Sequence, residues 1–272
     1  MTTRNLLKAL AITAALGLSL TACGSSDDGN DKTGTSSSGA SDLKLVKAGT
    51  LTVCSDVPYP PFEDFDKSAA TGFKGFDVDI VSKIAEDLGL KLAIKDSDFD
   101  ALQSGLLLNS GQCDVGASAM TITDERKKRL GFSDSYYDSE QSLLVPAGSD
   151  IKSIADLAGK TLGVQKGTTG ETYAKENVKG AKKIVSMKDD GTEFQALKAG
   201  TVDALLQDLP VNLEHTKDGQ YTIVEQYKTD EQYGFAVKKD NTKLLDAVND
   251  ALKKMKDDGT YQKIYDTYFK QQ

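Results

Sequence analysis

The sequence predicts an α/β protein built in two lobes. Short apolar, strand-like runs alternate with amphipathic helical segments from about residue 51 to the C-terminus, the order that crossover connections over a sheet produce. The alternation then repeats in another register beyond about residue 150. The part able to fold has about 230 residues, enough for one large domain or two lobes.

Leu51–Cys54 opens the order as a strand, and the prolines at 58, 60 and 61 make Asp56–Phe62 a stiff loop after it. Val78, Val81, Ile84, Ala85 and Leu88 recur at helical spacing, so 76–89 reads as an amphipathic helix stopped by Gly89. Leu90–Ile94 is a second strand, Phe99–Leu108 a helix, Cys113–Ala117 a third strand and Asp124–Arg129 a short helix. In the second half, Ile151–Leu157 is a short helix. Thr161–Gln165 is a strand that runs into the glycine-bearing turn 166–170 and a helix to about Asn177. Lys183–Met187, Val202–Leu206, Tyr221–Glu225 and Gly234–Lys238 are strands, with a helix over Thr192–Lys198. Leu244, Val248, Ala251, Leu252 and Met255 mark a helix over Thr242–Lys256; Gly259 stops it and Thr260–Phe269 forms the last one.

The N-terminus reads as a targeting segment. Arg4 and Lys8 precede an apolar run, Ala9–Leu20, that is short and rich in small residues for a membrane span. It closes in Leu20-Thr21-Ala22-Cys23, which resembles the bacterial lipobox, so residues 1–22 are expected to be a lipoprotein signal peptide and Cys23 the lipidated residue. Residues 23–42 carry no large apolar side chain and suit a flexible tether. The net charge is −8, and losing Arg4 and Lys8 with the leader deepens it. With no basic patch, nucleic acid is not an expected partner. One histidine and no clustered cysteines argue against a metal site. If the strands bearing Cys54 and Cys113 are parallel neighbours, the two residues lie at opposite ends, which favours buried free thiols over a disulfide.

Ser118–Tyr137 is the most informative stretch. Ser118, Ala119, Thr121 and Thr123 place small and hydroxyl residues before a helix start that bears Arg126. Such an edge can seat a carboxylate, with the guanidinium gripping both oxygens. The same residues also fit a surface helix with a solvated arginine. Asp208 follows the apolar run Ala204–Leu206, so a buried strand would deliver it to a cleft, off the strand's carboxyl end. His215, seven residues on, has no partner at triad or metal spacing and is expected on the surface.

The segments at 72–89, 98–106, 113–128, 131–137, 162–174, 198–208 and 253–269 occur in the order of one family. On these segments the chain resembles the substrate-binding lipoproteins of amino-acid ABC importers (solute-binding protein family 3), polar-amino-acid binders of the type II periplasmic-binding-protein fold. The resemblance covers about 43–269; Leu102–Gln112 departs in the spacing of helix and turn. It implies lobe 1 from 43–138 and 234–272, lobe 2 from 142–230, and a two-strand hinge near Ser139–Leu144 and Glu231–Phe235, with the ligand cleft between the lobes.

The resemblance also implies the site. Arg126 would grip the α-carboxylate of an amino acid, with Thr121 beside it and Ser118 and Ala119 along the ligand, Ala119 through backbone or shape only. Asp208 would pair with the α-ammonium, and Thr168 and Thr169 would offer donors to the carboxylate from a helix start. Tyr59 and Phe99 would sandwich the side chain, and Asp56 would read its far end. An anionic reader favours basic amino acids, then glutamine, over glutamate, with cystine open. Gln165 and Glu63 are further polar candidates. No catalytic residue or cofactor is expected. The implied partners are an amino acid, ABC permease and ATPase subunits, and the membrane through a lipid anchor, with a monomer at the outer face of the bacterial cell membrane. A ligand-sensing receptor component, and a dehydratase on the same fold, are the alternatives.

Overall fold

The computed structural model describes residues 42–270. The proposed leader, Cys23 and the tether up to residue 41 lie outside the described residues.

In chain order, β1 (Thr50–Ser55) is followed by β2 (Asp64–Phe65), β3 (Phe73–Lys74), α1 (Phe76–Asp87), β4 (Lys91–Asp96), α2 (Phe99–Gln103), α3 (Leu106–Asn109), β5 (Val115–Gly116), α4 (Asp124–Lys127) and β6 (Leu130–Phe132). After β7 (Tyr137–Pro146) and a 3₁₀ turn at Ile154–Leu157 come β8 (Thr161–Gln165), α5 (Thr169–Asn177), β9 (Lys183–Met187), α6 (Asp190–Lys198), β10 (Ala204–Asp208) and α7 (Leu209–Thr216). The chain ends with β11 (Tyr221–Tyr233), β12 (Ala236–Lys238), α8 (Thr242–Asp257) and α9 (Thr260–Phe269).

These elements form two mixed five-stranded sheets, ordered β4-β1-β5-β12-β6 and β11-β7-β10-β8-β9, with β2 and β3 paired separately as a two-stranded ribbon. In the first, β1 runs parallel to β4 and β5, and β12 enters antiparallel between β5 and β6. In the second, β8 runs parallel to β9 and β10 while β7 is antiparallel to β10 and β11. The long strands β7 and β11 are therefore the two passages of the chain between the sheets. Parallel strands put their carboxyl ends on one edge, which is where connecting loops can meet a ligand.

Each sheet has its own core. Phe62, Phe76, Ile80, Ile84, Leu244, Val248, Leu252, Met255 and Phe269 are buried on the first. Leu143, Val145, Leu162, Val164 and Leu206 are buried on the second. Helix α1 turns its predicted apolar stripe inward and ends as expected. Gly89 takes φ 66, and the N–H groups of Gly89 and Leu90 donate to the carbonyls of Glu86 and Ala85. That double bond closes the helix end and needs the left-handed conformation glycine adopts freely.

Several expectations change. The predicted helix over Phe99–Leu108 is two short helices, because Gly105 takes φ 82 and breaks the run. The predicted strand Cys113–Ala117 shrinks to β5, since the chain bends at Asp114, whose carboxylate accepts the backbone N–H groups of Val46 and Thr52. That bend overturns the expectation of free thiols. Cys113 precedes the strand proper and approaches β1, so that Cys54 and Cys113 are 5.8 Å apart at Cα and form a disulfide. Strand β11 continues through residue 233 instead of stopping at Glu225. Tyr227, Glu231 and Tyr233 point inward along it, and Asp230, at φ 51, sits in an irregularity of its pairing with β7.

Candidate functional site

Seven residues of the first half and four of the second line one narrow cavity. Asp56, Tyr59, Phe99, Ser118, Ala119, Thr121 and Arg126 face Gln165, Thr168, Thr169 and Asp208 across it. All ten predicted ligand-binding residues are thus brought together, and Gln165 joins them.

The positions follow from the ends of strands. Asp56 and Tyr59 belong to the loop leaving β1, and Phe99 opens α2. Ser118, Ala119 and Thr121 follow β5. Arg126 sits in α4, capped by Thr123, whose hydroxyl accepts the Arg126 N–H at 3.1 Å. Asp208 ends β10, while Thr168 and Thr169 open α5 after β8.

Arg126 is 4% exposed, which excludes the surface-helix alternative. Its Nη1 donates to the Thr121 carbonyl at 2.7 Å and its Nη2 to the Gly167 carbonyl at 3.0 Å, so it touches both lobes. The guanidinium carbon lies 5.2 Å from the Phe99 ring centroid, a cation–π contact. Burial lowers the guanidinium to about 10, with the nearby Glu231 and Asp208 charges opposing that shift, and it stays charged at neutral pH.

Two carboxyls face the same cavity. Asp208 accepts from Gln141 Nε2 and from the Tyr233 hydroxyl. Burial pushes it up to about 7, with the Glu231 charge adding to the rise and these hydrogen bonds opposing it. Asp56 accepts from Gln165 Nε2 at 2.5 Å. Burial pushes it up to about 8, against the Gln165 hydrogen bond, with the Asp189, Asp96 and Asp98 charges adding to the rise. Both carboxyls are disfavoured in their charged forms, and a cation between them would reverse that.

The hydroxyls are already engaged. Ser118 donates to Glu63 Oε1 at 2.7 Å and accepts the Asp56 N–H at 3.0 Å. Thr168 donates to the Gln165 carbonyl at 2.7 Å and caps α5 by accepting the Glu171 N–H. Thr121 and Thr169 both donate to Glu231 Oε2, at 2.6 and 2.7 Å. Ala119, at φ 43, gives its N–H to Asp77 Oδ2, which leaves shape and its carbonyl for the cavity. Glu63 therefore sits behind Ser118, one layer from the cavity.

Sequence reasoning did not single out Gln141, Glu231 and Tyr233, which hold Asp208 and the threonines from the long strands. Inward alternation along β11 was the available signal for Glu231 and Tyr233, hidden by the low apolar content of 226–232. His215 is a correction: it is buried, 2.7 Å from Asp190 Oδ1 and stacked on Phe194 with ring centroids 3.7 Å apart. Helix α7 packs against β7, β10 and β11, so its inward face is closed to solvent.

Known proteins resemble this chain along most of its length. The profile of bacterial extracellular solute-binding proteins, family 3, matches residues 51–271. The L-cystine-binding protein TcyJ of Escherichia coli K12 is 36% identical over 232 residues, spanning 83% of this chain and 85% of its own length. The ABC transporter glutamine-binding protein GlnH of Bacillus subtilis 168 is 37% identical over 210 residues, covering 75% and 76%. A solved ancestral arginine-binding protein bound to arginine is 42% identical, with a TM-score of 0.75 over 81% of this chain and 98% of that one. With the two-lobed α/β architecture and the interlobe cavity, these matches show that the chain belongs to the bacterial extracellular solute-binding proteins, family 3.

Proposed function

We propose that this protein captures one polar α-amino acid between its lobes and delivers it to an ABC importer. One observation supports the reading above the rest: Arg126 and Asp208 line the same buried cavity from different lobes. An anion-seeking guanidinium and a cation-seeking carboxyl so placed match the two charges every α-amino acid carries. Tyr59 and Phe99 flank the side chain, and Asp56, held by Gln165, reads its far end. Basic amino acids and glutamine are therefore favoured and glutamate disfavoured, with cystine compatible in view of the relative that binds it.

In this reading, lobe 1 (43–138 and 234–272) binds the amino acid first through Arg126. Closure about β7 and β11 then brings in Asp208 and the start of α5 from lobe 2 (142–230). The ligand favours the closed form because it contacts both lobes only there. The protein is a binder, not an enzyme, and acts as a monomer beside permease and ATPase subunits. Residues 1–22 are a leader, and lipidated Cys23 holds the protein at the outer face of the membrane, which raises its local concentration at the permease.

A thermal-shift screen of the twenty amino acids with ornithine, citrulline and cystine tests this. A ligand at 100 times its Kd stabilises by ~2.7 kcal/mol, and the Arg126→Ala variant is expected to fold yet lose that shift. No shift with any of these compounds would overturn the reading.

A further inference from the structure

Glu231 accepts hydrogen bonds from both lobes and from both long strands at once. Its Oε2 accepts from Thr121 at 2.6 Å, on the first lobe, and from Thr169 at 2.7 Å, on the second. Its Oε1 accepts from Gln141 Nε2 on β7 and Thr229 on β11, both at 2.9 Å. The side chain is 7% exposed. The pairing irregularity between Tyr227 and Glu231, with Asp230 in the left-handed region, aims it inward, a known use of a bulge.

The consequence is chemical. A hydroxyl has one proton, and a carboxylate oxygen only accepts. The protons of Thr121 and Thr169 are therefore committed to Glu231, and what these two residues can turn to the cavity is lone pairs. Ser118 and Thr168 have likewise committed theirs, to Glu63 and to the Gln165 carbonyl. The Tyr59 hydroxyl is bonded to Asp208, so none of these five hydroxyls of the cavity wall is left to donate to a ligand carboxylate. The expectation that Thr169 offers its hydroxyl to the ligand's carboxylate does not fit this arrangement; the carboxylate is left with Arg126 and backbone N–H groups.

We propose that Glu231 is a positioning residue that sets the polarity of the cleft: by holding the protons of Thr121 and Thr169 it makes both acceptors, so that with Asp208 they require a protonated amine on the ligand. This rests on the amino-acid reading above and deepens it. The cleft selects α-amino acids against the same acids without the amine. Glutamine at 231 would reverse the logic, since its amide nitrogen donates to threonine oxygens and frees their protons to turn toward the ligand.

Titration calorimetry on the wild type and Glu231→Gln tests it with L-arginine, L-glutamine and their deaminated counterparts, 5-guanidinopentanoate and 4-carbamoylbutanoate. For the amino acid the wild type binds, preference over its deaminated counterpart is expected to shrink at least tenfold in Glu231→Gln, through weaker binding of the amino acid. Glu231→Asp, which keeps a carboxylate, is expected to restore part of the preference. Should Glu231→Gln not fold, Thr121→Val, which removes one acceptor and leaves Glu231 in place, is expected to shrink the same preference. Equal weakening of both compounds, or an unchanged preference, would overturn the positioning role while leaving the amino-acid reading intact. A wild type that binds none of the four compounds and no amino acid in the thermal-shift screen would overturn both.

Discussion

Asp56 is the residue to which the proposed function assigns ligand choice. It is buried, bonded to Gln165 across the lobes, and surrounded by Asp96, Asp98 and Asp189. Asp56→Asn removes the carboxyl that a cationic ligand would ionise while keeping the shape. It is expected to weaken a cationic ligand at least tenfold and L-glutamine by much less, as read by titration calorimetry; an equal loss for both would argue against charge reading. As the proposed partner of the ligand's ammonium, Asp208 is expected to link binding to protons. Its folded-state value is raised from the ordinary 3.8 to about 7. In the ligand-free protein its stabilising contribution is therefore complete below about pH 4 and lost as pH rises through about 7. A bound ammonium favours the ionised form, so binding below pH 7 is expected to release a proton, and affinity to rise between pH 6 and 8. Calorimetry at pH 6 in two buffers of different ionisation heat measures that release, and its absence in the wild type would exclude Asp208 as the ammonium partner. Asp56, raised to about 8, adds a second released proton for a cationic ligand but not for glutamine. Asp208 was legible in sequence partly from its place after an apolar strand, and Asp56 through the family resemblance. Their burial and hydrogen-bond partners were not, because those come from the opposite lobe.

At the scale of elements, β11 and the Cys54–Cys113 bridge differ most from expectation. A strand with Glu225, Gln226, Lys228, Thr229, Asp230 and Gln232 has little apolar pattern, yet it forms a ladder because β7 supplies its partner along nearly its whole length. Pairing across a sheet decides such strands more than their own composition does. The disulfide joins β1 to the bend before β5, across 59 residues of chain that include α1, β4, α2 and α3. Closing a loop of that size restricts the unfolded chain, and removing the bridge costs about 2–5 kcal/mol. The Cys54→Ala/Cys113→Ala double variant is expected to unfold at a temperature several degrees lower, with α2 and Phe99 less firmly held. An unchanged midpoint in calorimetric scanning would show that the bridge adds nothing to stability.

At the scale of the molecule, the lobes meet through few but specific contacts. Arg126 reaches the Gly167 carbonyl, Gln165 reaches Asp56, and Lys166 pairs with Asp100 at 2.8 Å. The Lys166–Asp100 pair is partly exposed and contributes at most about 1 kcal/mol. In the proposed cycle, a ligand that contacts both lobes shifts the balance between open and closed forms by the contacts it adds to this seam. Small-angle scattering is expected to show a smaller radius of gyration on addition of the bound amino acid, and no such change in Arg126→Ala. A ligand that binds without compaction would show that closure is not tied to occupancy.

The sequence by itself determined the α/β class, the order of strands and helices, and ten residues that line one cavity. The class and the order rest on short-range signals, namely apolar periodicity, caps, glycines, prolines and strand ends; the ten residues rest on the resemblance to a family carried by seven segments along the chain. Only the tertiary structure decided that Cys54 meets Cys113, that His215 is buried on Phe194, and that Glu231 gathers hydroxyls from both lobes. Each of those depends on residues far apart in the chain brought together by sheet pairing and lobe closure, and no local pattern records such a meeting.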